Sequence, residues 1–150
     1  MRHIAKNHSE GAPVNENLAG NQFVVIYVEN PVTESDFFAR LFDAPAIVID
    51  ENSRQVNTGK FQLRINKAAG EHTRSAGVHL EINVANVNRF AEEVWNRGVK
   101  YASRPQNVGD GTRRVGFTSP HDIKVFGVGP PKLDSTGAFP AFPRKNLGSA

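Results

Sequence analysis

FVVIYVENPVTESDFF, residues 23–38, and HLEINVANVNRFAEEV, residues 79–94, align without a gap at an offset of 56 residues. Val28 meets Val84, Asn30 meets Asn86, and Phe38 meets Val94. Each stretch opens with alternating apolar residues, which read as a strand. Each then passes an asparagine suited to cap a helix and continues with apolar residues at helical spacing. Repetition of this size means two copies of one supersecondary unit.

Working outward, Pro31 suits the first helical position, and Phe38, Leu41 and Phe42 supply an apolar stripe. APAIVIDE is the next strand, and RQVNTGKFQLRINK reads as a hairpin turning near Asn57-Thr58-Gly59. In the second copy Phe90, Val94 and Trp95 are the expected buried stripe, and Gly98 stops the helix. Three strands follow, with turns at Asp110-Gly111 and Ser119-Pro120-His121-Asp122. The predicted fold class is α+β, with two β-α-β-β-β modules at about residues 21–68 and 76–130 in a single domain, 21–132. Polar, aperiodic residues 1–20 are expected to be a flexible arm. Residues 133–150 form a Pro-rich tail, whose Phe139 and Phe142 are placed to dock on the domain or a partner.

The chain has 150 residues, a net charge of +3 and no cysteine, which excludes disulfides, thiolate ligands and a cysteine nucleophile. The only adjacent basic pairs are Arg113-Arg114 and Arg144-Lys145, so no stripe for nucleic acid is expected. No apolar run reaches the ~18–20 residues needed to span a bilayer. The first residues have no apolar core of a secretory signal, so a cytoplasmic location is expected.

Strand alternation sends Leu80, Ile82 and Val84 to the helix and leaves His79, Glu81 and Asn83 on the opposite face. In the first module Val24, Ile26 and Val28 face the helix, and Phe23, Val25 and Tyr27 do not. One helix covers only one face of a sheet, so the other face is free to wall a cleft. One wall is polar and the other aromatic and apolar, which suits a small organic ligand.

Three segments resemble the vicinal oxygen chelate superfamily, which includes glyoxalase I, bleomycin- and fosfomycin-resistance proteins and extradiol dioxygenases. They are YVENPVTESDFFARLFD, VHLEINVANVNRFAEEVWNRGV and GTRRVGFTSPHDIKVFGV, and the resemblance covers about residues 21–130. The last departs from the family's closing turn, Phe-x-Asp-Pro-x-Gly-Asn, at several positions. The resemblance implies paired modules whose curved sheets line a cup, and homodimers, since many members pair or exchange modules. In metal-dependent members up to four side chains from the first and last strands of the modules hold a divalent ion. Carried over by position, His79 is the only ligand retained. Phe23 and Phe126 stand at two of the other positions, and the last strand of module one offers Gln62, Arg64 and Asn66. No metal and no other cofactor is therefore expected.

The expected ligand-binding residues are Phe23, Tyr27, Gln62, Arg64, His79, Glu81, Asn83 and Phe126. The expected function is metal-independent binding or sequestration of a small, partly aromatic molecule. Bleomycin-type sequestering proteins are typically acidic and this chain is basic, which points to a neutral or anionic ligand. One alternative is a lyase, isomerase or dioxygenase using His79 and Glu81 as catalytic residues, with or without a metal. A second is a protein-interaction module whose cup is filled by its own tail. Arg64 is expected to pair with Glu81 or with a ligand carboxylate. His3, His8 and His72 are expected in solvent, as is His121 at the lip of the cup. Ser119 has no partner base close in sequence for a hydrolase triad.

Overall fold

A computed structural model describes residues 17–20 and 22–133. Phe139, Phe142, His3 and His8 lie outside the described residues, as do nearly all of the arm and the tail. The elements are β1 (Phe23–Val28), α1 (Pro31–Phe42), β2 (Ala46–Asp50), β3 (Ser53–Asn57) and β4 (Gln62–Lys67), then β5 (His79–Asn83), α2 (Val87–Asn96), β6 (Ser103–Asn107), β7 (Arg113–Thr118) and β8 (Lys124–Gly129). Each half is β-α-β-β-β, the order the repeat predicts.

The helices begin where the asparagines place them. Asn30 is extended, and its side chain accepts from the N–H groups of Val32 and Thr33 at 3.1 and 3.3 Å. Asn86 accepts from Arg89 N–H at 3.0 Å. Each cap satisfies donors with no intrahelical acceptor, a contribution of about 1 kcal/mol. Asp43 ends α1 in the left-handed region.

The sheets have the same topology, β1-β4-β3-β2 and β5-β8-β7-β6. In each, the first strand pairs parallel with the fourth, and the other neighbours are antiparallel. Alternation buries Ile26, Val28, Val56, Leu63 and Ile65 under Phe37, Phe38 and Leu41 of α1. In the second module Val115, Phe117 and Val125 pack with Val87, Ala91 and Val94 of α2 in one continuous core. Full burial of such a side chain contributes ~1.5–3 kcal/mol.

The stripe of α2 differs from the expected one. Small Val87 and Ala91 join Val94 in facing the sheet, and let the helix approach it. Phe90 packs at the edge of this contact, over Gly127, where a Cβ would come within 2.9 Å of the ring. Trp95 sits on the flank of the helix, against Tyr101 and under the Lys100 ammonium, which is 4.0 Å from its ring.

The two modules are joined on their helix side. The Arg97 guanidinium at the end of α2 donates to the carbonyls of Arg40 and Leu41 at the end of α1. At the other end of α1, Glu34 is fully buried against the β7–β8 turn. Its carboxylate accepts from the Ser119 hydroxyl, from His121 N–H at 3.1 Å and from His121 Nδ1 at 2.7 Å. Asn30 N–H donates to His121 Nε2, which assigns the ring proton to Nδ1. His121 is therefore not in solvent: its side chain is 12% exposed. A turn residue is largely covered here because a helix of the other module packs over it. Ser119 bonds to the carboxylate and not to the imidazole, so the cluster is a joint and not a nucleophile with its base.

Replacing Glu34 with Ala strips three donors of their acceptor. Urea unfolding is expected to show a loss of about 3 kcal/mol for Glu34→Ala. Asp36→Ala, which breaks only the exposed pair with Arg40, should lose under ~1 kcal/mol. Equal losses would contradict the joint.

Candidate functional site

The face of each sheet turned away from its helix carries the candidate residues. In the first sheet, Phe23, Val25 and Tyr27 of β1 lie beside Gln62, Arg64 and Asn66 of β4, and Gln55 of β3 lies beside Arg64. The Arg64 guanidinium donates through Nε and Nη2 to one oxygen, Gln55 Oε1, at 2.9 and 2.6 Å. The amide of Gln55 donates in turn to Gln62 Oε1 at 2.6 Å and to Asn57 Oδ1 at 2.9 Å. Arg64 also lies 5.0 Å over the ring of Phe23. Tyr27 is covered by His72, stacked at 4.7 Å, so His72 is a ring partner although half exposed.

In the second sheet, His79, Glu81 and Asn83 of β5 share the open face with Phe126 of β8 and with Arg114 and Gly116 of β7. Glu81 Oε2 is 3.4 Å from His79 Nε2 and 3.2 Å from Arg114 Nη1. Arg114 reaches Asp110 at 3.7 Å and lies 5.9 Å from the Phe126 ring. His79 meets that ring edge-on at 5.9 Å. Gly116 makes room for it: a Cβ there would be 2.5 Å from Ser103 Oγ and 3.2 Å from Phe126. The Thr112 hydroxyl, then the Thr112 N–H, hold the Asp110 carboxyl below its ordinary pKa, with a smaller pull from Arg114.

The expected Glu81–Arg64 pair does not form within the chain. Glu81 takes Arg114, and Arg64 takes Gln55, because each pairing is between strands of one sheet. Arg114 and Gln55 were not singled out from sequence. Alternation in RRVGFT, with Val115 and Phe117 buried, places Arg114 on the open face, and RQVN does the same for Gln55.

Both walls are open to solvent. Phe23 is 49% and Val25 44% exposed, and the side chains of His79 and Glu81 are 54% and 45% exposed. A cleft of about 590 Å³ lies elsewhere, on the helix side between α1, residues 98–100 and the β7–β8 turn. It contains none of the wall residues.

The donor set does not fit a transition-metal centre. His79 and Glu81 are two donors where about three or four are needed, and Glu81 already neutralises Arg114. Among the described residues no three His, Cys, Asp or Glu side chains group to hold a metal ion. No helix among them is long and apolar enough to cross a membrane.

No protein-family model and no curated protein matches the chain. Solved structures do. A glyoxalase/bleomycin resistance protein from Catenulispora acidiphila DSM 44928 is 18% identical over 75% of this chain and 100% of its own, with a TM-score of 0.59. A glyoxalase/bleomycin resistance protein/dioxygenase family enzyme from Burkholderia phytofirmans PsJN is 16% identical over 73% of this chain and 97% of its own, with a TM-score of 0.58. A lactoylglutathione lyase from Agrobacterium tumefaciens is 10% identical over 75% and 95%, with a TM-score of 0.60. The fold is therefore the glyoxalase/bleomycin-resistance fold, as the resemblance in the sequence implied.

A depressed carboxylate pKa stabilises above the ordinary value and ceases to do so as pH falls through the lowered one. With Thr112→Val, an NMR titration of the Asp110 carboxyl is expected to move up toward the ordinary aspartate midpoint. An unchanged midpoint would contradict the assigned cause.

Proposed function

We propose that this chain, carrying the glyoxalase/bleomycin-resistance fold, binds a small, partly aromatic, neutral or anionic molecule without a metal, in the cytoplasm. The cup is closed by two copies of the chain, the first sheet of one facing the second sheet of the other. The observation that carries this reading is the exposure of two complementary walls. The row Val25–Arg64–Gln55–Ile47 crosses the first sheet, apolar at both edges and polar in the middle. Val25 and Ile47 are 44% and 39% exposed beside Phe23, an apolar surface of the kind that marks an interface or a ligand groove.

Phe23, Tyr27, Gln62 and Arg64 then form one side of the cup, and His79, Glu81, Asn83 and Phe126 the other. The phenylalanines offer ring faces for stacking, and the amides and charged groups orient the ligand. The rival reading, acid–base catalysis by His79 and Glu81, is supported by their 3.4 Å approach. Its signature is turnover that His79→Ala abolishes while ligand binding persists.

Sedimentation velocity is expected to give a dimer. A saturation-transfer NMR screen of neutral and anionic bicyclic aromatics is expected to give ligands that bind equally well with a chelator present. Phe23→Ala and Phe126→Ala should each weaken them by roughly tenfold, the scale of one lost aromatic contact. A monomer that binds no aromatic compound, or binding that a chelator abolishes, would contradict the proposal.

A further inference from the structure

The two arginines on the open faces are in different electrostatic situations. Arg114 is matched by Glu81 and Asp110. Among the described residues Arg64 has no carboxylate partner, and its only acceptor there is the neutral oxygen of Gln55. Gln55 is fixed in that role, because its amide nitrogen is spent on Gln62 and Asn57. The guanidinium is held from below by Phe23. Its Nε side is thus occupied, and beyond that Gln55 oxygen no described residue accepts from the edge formed by Nη1 and Nη2.

We infer that the Nη1–Nη2 edge of Arg64 is a carboxylate-docking site, and that the ligand of the cup is an arylcarboxylate monoanion. This rests on the cup reading. A guanidinium presents two parallel N–H groups at the spacing of a carboxylate, and that pair is stronger and more directional than a bond to a neutral amide. When a second wall covers the first, Arg64 loses water. A desolvated cation with only a neutral acceptor is unfavourable, and an incoming carboxylate removes the deficit.

The facing wall does not supply that carboxylate. Glu81 is held by Arg114 and His79, and Asp110 by Arg114. The single positive charge of Arg64, without a carboxylate partner among the described residues, calls for one negative charge. Phe23 beside the guanidinium and Phe126 on the opposite wall give the attached ring its two apolar surfaces.

The test is titration calorimetry of the full chain with 2-naphthoate and with 2-naphthamide, which share ring and shape and differ in charge. The wild type is expected to bind the carboxylate about tenfold or more tighter than the amide, the scale of a charge-assisted bidentate pair. In Arg64→Gln the ratio is expected to fall below about threefold, and in Arg64→Lys to lie between, because an ammonium is a point donor. A ratio near one in the wild type, or a high ratio that survives in Arg64→Gln, would overturn the inference and leave the cup reading standing. Failure of every aromatic compound to bind would overturn both.

Discussion

A four-stranded sheet covered by one helix has one buried face and one open face, and the remaining features of this chain follow from that constraint. Alternation along each strand divides the residues between the two faces, so the core and the walls are set by the same pattern. Burial dictates one set: Ile26, Val28, Leu63 and Ile65 are at or near zero exposure. The other set is free of that demand. Phe23 and Val25 are apolar yet nearly half exposed, the surface that the proposed cup would cover.

The joint between the modules is what leaves both walls uncovered. Glu34 reaches from α1 into the β7–β8 turn, and Arg97 reaches from the end of α2 to the last carbonyls of α1. These contacts bring the modules together through their helices. A buried carboxylate with three donors also fixes orientation as well as adjacency, since removal of any donor leaves part of a charge unsatisfied. A charged group at this place breaks the internal repeat: Glu34 stands 56 residues before Phe90, an aromatic residue packed on its own sheet.

Much of this architecture is legible in the sequence because it is local. The offset of the repeat, the asparagine caps and the alternation need only neighbours along the chain, and they separate the buried face of each sheet from its open face. The partners of the charged groups need more. Ser119 and Glu34 are 85 residues apart, and no strand pattern brings them together. His121 looked exposed because turns usually are, and its burial depends on how the modules pack. Arg114 bonds to Glu81 across an intervening strand, β8, so the pairing requires the order of the sheet as well as its strands. Trp95 fitted a helical stripe by spacing, but the smaller Val87 and Ala91 win the face where the helix comes closest.

The central claim, a cup closed by walls from two copies, is tested most directly by complementation. One chain carries Phe23→Asp, which disables the first wall, and another carries Phe126→Asp, which disables the second. Each is titrated alone with 2-naphthoate, and the two are then unfolded, mixed and refolded together. Closure across two copies predicts no binding by either variant alone and recovery in the mixture of about one functional cup in four, the share set by random pairing in a twofold dimer. A mixture that binds no more than its components would contradict the claim.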